Sequence, residues 1–379
     1  MDLKYYISAF KKFTSGIFDL GKPFRPIRQE KLGDHLGIVI FDDYDYQYGF
    51  EYFKRFKVDT SGACSVVKKG NIVGRNFDWT NDDLMDVIIQ TPRTSNRYAT
   101  IGVAHTNGIG TFKNLLNGSL SLKGCQYLPF MMCDCLNEEG LYCSINVVPT
   151  GDRKNTSPVG SGPEVCQLML PRLICDLCGS IEEAKSLIEL YSVYAPLGKI
   201  NEECHLFIAQ KDTNIGLCVE FADNEVKFET VNFITNFYVS DWTGVIASKV
   251  MGDTDQEIAA TGLTDHAMGL ERYNIISENY ADVEDADDMM GLMYLLRYSR
   301  AYNKSQTPFW YSEFYSNYKT LGDKTIYSTK EEMKPVLDTL DKPTWITTHT
   351  SIYDLKNLTL KVFTQENYLD SYIVEMLKQ

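Results

Sequence analysis

Hydrophobic positions in this chain recur with two periods. From His205 to Phe237 they form short runs broken by turn residues: HLFIAQ, then KDTN, GLCVEF, ADNE, VKFETV and FITNF. Runs of this kind bounded by Asp and Asn predict a β-meander. Upstream, Val165, Leu168, Leu170, Leu173 and Ile174 recur at helical spacing and predict helix within 163–195. Gly179 reads as its stop, and Ser180-Ile181-Glu182-Glu183 reads as a capping box opening a second helix. A Met- and Leu-rich stretch over about 286–300 predicts another helix, and WITTHTSIYDLKNLTLKVFT predicts two strands around Lys356-Asn357. Nearer the start, CSVV and IVGRNFDW flank a turn containing Gly70-Asn71, a hairpin signal. Strand blocks separated by helix pairs predict layered α and β structure with mostly antiparallel sheets.

Residues 1–63 have a different texture. They are rich in aromatics and charge, with Tyr5, Tyr6, Phe10, Phe13, Phe18, Phe50, Tyr52 and Phe53, and end in the small residues Ser61-Gly62-Ala63 before Cys64. Disordered segments are poor in aromatics, so this leader is expected to pack on the body and cover Cys64. Its small closing residues would let the backbone approach the thiol.

Composition narrows the function. The 379 residues carry 37 basic and 51 acidic side chains, a net charge of −14. Such a balance excludes the basic footprint of nucleic-acid binding and disfavours an anionic membrane surface. No stretch approaches the roughly 20 apolar residues of a membrane span. The N-terminal apolar run is broken by Lys11 and Lys12. The expectation is a cytoplasmic protein with reduced thiols.

Cys64 opens the first strand of the hairpin, and Arg75 and Asp78 lie on the second. A two-residue loop at Lys69-Gly70 pairs Cys64 with Arg75. A loop at Gly70-Asn71 puts Arg75 opposite Val66, still on the face of Cys64. A three-residue loop brings Asp78 onto that face. In each register a thiol, a guanidinium and a carboxylate converge, and a neighbouring cation favours the thiolate.

The residues from Cys64 through Gly74-Arg75-Asn76-Phe77-Asp78-Trp79 resemble the start of the mature chain in the choloylglycine hydrolase family, which includes bile salt hydrolases and penicillin V acylases. Four more segments resemble that family in order: Asp134-Cys135-Leu136-Asn137-Glu138-Glu139-Gly140-Leu141, Ile234-Thr235-Asn236-Phe237, Glu271-Arg272-Tyr273 and Ile352-Tyr353-Asp354-Leu355. The resemblance implies an α+β fold, the four-layer αββα Ntn-hydrolase sandwich. It implies a leader over 1–63 and a hydrolase domain over 64–379. Cys64 would become the mature N-terminus when the Ala63–Cys64 bond is cut autocatalytically, and its α-amine would then act as general base. An α-amine titrates near 7.7–8.0, close to working pH. By the same resemblance Arg75 and Asp78 poise Cys64, Asn236 orients the amine or substrate, Asn146 supplies an oxyanion donor, and Arg272 holds the site electrostatically. Two departures stand out: Cys135 replaces a glycine, and Asn146 aligns one position off unless a gap is allowed. The implied substrate is a small-molecule acyl amide. No cofactor, no metal, no nucleic acid and no membrane partner are expected, and a homo-oligomer is compatible with the sequence.

Other signals read as ordinary structure. Cys175-Asp176-Leu177-Cys178 has CxxC spacing but sits among helical apolar residues, so core packing is preferred over zinc or redox chemistry, alone or with Cys133 and Cys135. His35, His105, His205, His266 and His349 show no metal spacing. Asn107-Gly108-Ile109-Gly110 reads as a turn, and the acidic run at 282–288 as a solvated face. Two rival functions remain at this point. A cysteine peptidase would require an essential histidine, and a silent binding protein would keep the fold without turnover.

Overall fold

The computed structural model describes residues 26–55, 57–58, 62–80, 86–106, 126–149, 155–198, 202–241, 269–298 and 345–377. The turn read at 107–110, the leader's first 25 residues, and Ser61 and His266 lie outside them.

The chain begins with strands β1 (Arg28–Lys31) and β2 (Leu36–Ile40), helix α1 (Tyr46–Phe53) and the short strand β3 (Lys57–Val58). Then come β4 (Ala63–Lys69), β5 (Ile72–Thr80), β6 (Asp86–Thr91), β7 (Thr100–His105), β8 (Met132–Asn137) and β9 (Leu141–Pro149). A helical segment follows: β10 (Glu164–Cys166), α2 (Leu170–Leu177), α3 (Ile181–Glu189), β11 (Ser192–Tyr194) and β12 (Leu197–Gly198). Next are β13 (Glu202–Gln210), β14 (Gly216–Ala222), β15 (Glu225–Val231) and β16 (Phe233–Ile234). The chain closes with α4 (Gly269–Asn279), α5 (Ala286–Leu295), β17 (Trp345–Asp354), β18 (Thr359–Thr364) and β19 (Asn367–Glu375).

Among the described residues these strands build two large sheets. One has nine strands in the order β1-β2-β6-β7-β8-β9-β13-β14-β15, and the other has six in the order β16-β4-β5-β17-β18-β19. Pairing within them is antiparallel except between β2 and β6. Three separate apolar layers show how the sheets stack. Leu173 and Ile174 of α2 and Leu187 of α3 pack with Leu141, Cys143 and Ile145 on the outer face of the nine-stranded sheet. Val66, Val73 and Tyr353 meet Tyr142, Phe207 and Cys218 between the sheets. Ile276, Met289 and Met293 of α4 and α5 cover Val67, Ile352 and Phe363 on the far face of the six-stranded sheet. The order is helix, sheet, sheet, helix, the αββα sandwich. Strand alternation explains it, because neighbours such as Val66 and Val67 must serve opposite faces.

The two helices expected within 163–195 both form, and three other elements share the stretch with them. Residues 164–166 pair as β10 with β11, and a 3-10 turn over Gln167–Met169 precedes α2. Pro171 lies in the first turn of α2, where its missing N–H removes no helical bond. Ser180 does cap α3, accepting from Glu183 N at 3.2 Å. Glu183 reaches Gly179 N rather than the cap residue, so only half of the expected box forms. The meander also departs from expectation. β13, β14 and β15 belong to the nine-stranded sheet, but FITNF leaves it, and β16 pairs with β4 in the other sheet.

Residues ahead of Cys64 are built into this fold. β2 pairs along its whole length with β6, from Leu36 opposite Asp86 to Ile40 opposite Gln90. Phe50 and Phe53 of α1 join the core beside Phe130 and Met169. No described helix is long and apolar enough to cross a membrane.

Phe53 is 1% exposed. Phe53→Ala is therefore expected to lower the stability of the full chain by about 3–5 kcal/mol, read as a shift in the urea midpoint. An unchanged midpoint would mean that α1 is not part of the core.

Candidate active site

Cys64 is the second residue of β4 and shares the inter-sheet face with Val66. Lys69 pairs with Ile72, so Gly70-Asn71 forms the turn, with Gly70 at φ +55°, a left-handed conformation that favours glycine. Of the registers open to the hairpin, this one sets Val66 opposite Arg75, Cys64 opposite Phe77 and Ala63 opposite Asp78. Arg75 thus lies on the face of Cys64, and Asp78 on the opposite face, toward α4 and α5.

Arg75 is fully buried and spans the two sheets. Its Nη2 stands 3.5 Å from Cys64 Sγ and donates to the Ile145 carbonyl at 2.7 Å. Its Nη1 donates to Asp134 Oδ2 at 3.1 Å. Asp134 also accepts from the Tyr353 hydroxyl at 2.5 Å and from Val103 N at 3.0 Å. Burial alone would push the Asp134 carboxyl up, but His349, Arg75 and Tyr353 outweigh it and hold it below the usual range. His349 sits between two acids, with Nδ1 3.1 Å from Asp86 and Nε2 3.8 Å from Asp134. Burial works against its charge, yet those carboxylates raise it to about 9, so it is cationic at neutral pH.

The other side of Cys64 is organised around its backbone nitrogen. Cys64 N–H donates to Asn236 Oδ1 at 3.0 Å. The same oxygen accepts from Arg272 Nη2, while Arg272 Nη1 donates to Asp78 Oδ2 at 2.7 Å. Asp78 Oδ1 accepts from the Thr347 hydroxyl at 2.6 Å. Asn236 Nδ2 in turn donates to the Val147 carbonyl at 2.6 Å. Burial raises the Asp78 carboxyl to about 6 despite Arg272 and Thr347.

An apolar wall adjoins the thiol. Cys64 clusters with Phe77, Trp79 and Cys133, and Phe77 stacks on Trp79 at 5.7 Å and on His349 at 5.1 Å between centroids. A side chain at Gly62 would put its Cβ 2.5 Å from the Trp79 ring, so the close approach of the backbone here needs glycine. Asn146 follows Ile145, whose carbonyl is 4.0 Å from Cys64 Sγ. On β9 it shares the inter-sheet face with Tyr142, is buried, and has no hydrogen-bond partner for Nδ2 or Oδ1 among the described residues. A buried amide with both ends open is a donor in reserve.

The other five residues singled out from the sequence thus lie around Cys64: Arg75 at its sulfur, Asn236, Arg272 and Asp78 on the side of its nitrogen, and Asn146 next to the Ile145 carbonyl that neighbours the thiol. In the intact chain, however, burial raises the Cys64 thiol more than Arg75 lowers it. The expected thiolate is not the resting form. Thr347 and His349 were not anticipated as site residues, because they come from β17, far away in sequence. Asp134 and Tyr353 stood inside recognised motifs but had no role assigned. Cys175 and Cys178 pack in the helix-side core, with Cys175 Sγ 3.2 Å from the Cys135 carbonyl, as core packing required.

Residues 60–236 match the family model of the linear amide C-N hydrolases, choloylglycine hydrolase family. The matched stretch begins just ahead of Cys64 and ends at Asn236. The reaction class that this model describes is hydrolysis of linear amide C–N bonds. Among solved structures, a mutant of the conjugated bile acid hydrolase from Clostridium perfringens aligns with a TM-score of 0.43 and 15% identity, over 83% of this chain and 92% of that one. Penicillin V acylase from Agrobacterium tumefaciens aligns with a TM-score of 0.48 and 13% identity, over 83% and 86%. No curated protein sequence matches.

Two expectations follow from this geometry. Arg75→Ala removes the guanidinium that donates to buried Asp134 and is expected to cost about 3–5 kcal/mol in urea unfolding, with loss of hydrolysis. Wild-type stability would contradict the buried pair. The second concerns pH. Asp78 titrates at about 6 in the folded chain and near its ordinary 3.8 when unfolded. Its contribution to stability is therefore fully present below pH 3.8 and lost as pH rises through about 6. Its carboxylate, which holds Arg272, behaves in the opposite way. Hydrolysis is expected to fall as pH drops through about 6, and Asp78→Asn to remove that step from the pH–rate profile. A profile with the same step in both proteins would exclude Asp78 as its source.

Proposed function

We propose that the chain is the precursor of an N-terminal-nucleophile amidase. Cys64 is its nucleophile, and self-cleavage of Ala63–Cys64 is its activation step. The observation that carries this reading is the pair of anchors on Cys64. Arg75 stands at its sulfur, and Asn236 Oδ1 holds its nitrogen at 3.0 Å. A nucleophile that reacts only through sulfur needs no anchor on its nitrogen. Here Asn236, Arg272, Asp78 and Thr347 form a buried chain of hydrogen bonds ending on that atom. In the intact chain the nitrogen is an amide and cannot act as a base.

For activation, Cys64 Sγ attacks the Ala63 carbonyl, the C–N bond breaks, and the proton from sulfur passes to the freed α-amine. Water then hydrolyses the thioester, which severs the covalent link between residues 1–63 and 64–379. In turnover the α-amine takes the thiol proton and the thiolate attacks the substrate carbonyl. Asn146 Nδ2 donates to the oxyanion, and the ammonium protonates the leaving amine. Water clears the acyl-enzyme with the amine again as base. The Phe77, Trp79 and Cys133 wall suits an apolar acyl group in a small linear amide. Because β2 and α1 lie ahead of the cut and inside the fold, the released piece stays bound to the rest.

Cys64→Ala is expected to abolish both amide hydrolysis and cleavage. By intact mass the wild type becomes two pieces meeting at Ala63–Cys64, and the variant stays whole. An alanine variant that still splits, or an uncut wild-type chain that hydrolyses amides as fast as the cut one, would overturn the reading.

A further inference from the structure

A second group of reactive side chains lies on β13 and β14. His205, Cys218 and Glu220 are all fully buried and face the layer between the sheets, like Phe207. His205 Nδ1 is 3.6 Å from Cys218 Sγ and 3.7 Å from Glu220 Oε1, and Cys218 Sγ is 3.9 Å from the same oxygen. We propose that His205, Cys218 and Glu220 form a binding site for a divalent transition-metal ion, with Zn2+ favoured by the donor set.

Three observations carry it. The first is spacing. With Zn–S of about 2.3 Å and Zn–N or Zn–O of about 2.0–2.2 Å, tetrahedral ligand atoms stand about 3.3–3.6 Å apart. The three observed separations need only close by a few tenths of an ångström, which leaves one corner for a fourth ligand. The second is the chemistry of the set. An imidazole, a thiol and a carboxylate from three residues suit Zn2+, whereas Ca2+ or Mg2+ would call for oxygen alone. The third is orientation. Glu220 Oε1 accepts the N–H of Val239, and its Oε2 accepts that of Ser240 at 3.0 Å, so the carboxylate is fixed before any ion arrives. His205 Nε2 has no hydrogen-bond partner among the described residues, so the ring is not committed to another role.

Metal binding releases the Cys218 proton and converts the thiol to a thiolate ligand. The site bears on the candidate active centre from two directions. His205 is opposite Asn146 in the pairing of β13 with β9, so a cation there would lie one strand from the amide with open hydrogen-bonding capacity. Glu220 also ties down Val239 and Ser240, just after Asn236, so the ion would brace the segment that holds the Cys64 nitrogen.

The test uses the full chain, stripped with a chelator. Zn2+ is titrated against a chromophoric chelator, and Co2+ is added separately for its absorption spectrum. The expected result is one equivalent bound and a thiolate-to-cobalt charge-transfer band. Cys218→Ser should lose the band, and His205→Gln should weaken Zn2+ binding more than about tenfold. A cobalt spectrum of the unaltered chain without that band overturns the site, and this reading needs no variant to fold. A band unchanged in Cys218→Ser also overturns it, by assigning the metal to other thiols. None of these readouts depends on amide hydrolysis, so they stand apart from the fate of the proposed function.

Discussion

One buried guanidinium joins the two halves of the sandwich. Arg75 belongs to the six-stranded sheet, yet it donates across the interface to Asp134 and the Ile145 carbonyl of the nine-stranded sheet while reaching Cys64 in its own. A charge in that layer is tolerated only when every partner is in place. Asp134 is in turn held by Tyr353 and Val103 and stands near His349, so the ion pair is a network rather than an isolated contact. The distance between the sheets and the placing of the thiol are therefore set by the same side chain. Chemistry at Cys64 and cohesion of the fold cannot be separated at this position.

The second constraint is the crossing of the chain from one sheet to the other after β15. By pairing with β4, β16 carries Thr235 and Asn236 to the backbone of Cys64. Arg272 on α4 then closes the arrangement from the helical layer. Cys64 is thereby held by a chain of hydrogen bonds that runs from Asn236 through Arg272 and Asp78 to Thr347, joining segments far apart in sequence.

Much of this was legible in the residues. Alternation in HLFIAQ and GLCVEF gave the sheets, Gly70-Asn71 gave the hairpin turn, and five ordered motifs gave the family resemblance and five of the six candidate residues, with Asn146 just beyond the second motif. What the sequence left open was register and partnership. Three hairpin registers placed Arg75 and Asp78 differently, and only the folded pairing of Lys69 with Ile72 chose between them. The FITNF run has the texture of one more meander strand, because nothing local marks a change of sheet. Thr347, Tyr353 and His349 sit on a strand whose pattern reads as plain β-structure, and their partners are Asp78 on β5 and, across the interface, Asp86 on β6 and Asp134 on β8. His205, Cys218 and Glu220 show no metal spacing along the chain, because the antiparallel pairing of β13 with β14 brings together residues 13 and 15 positions apart.

The parallel pairing of β2 with β6 has a consequence for how the protein is made. While the chain is continuous, the strand and its partner are tethered, and a tether of this length supplies an effective concentration in the millimolar range. The proposed cut before Cys64 would remove the tether but leave the contacts. Assembly is then a one-time event that needs the uncut chain, and two separated pieces would have to find each other by ordinary diffusion. The mature form would owe its lifetime to slow dissociation rather than to ready refolding.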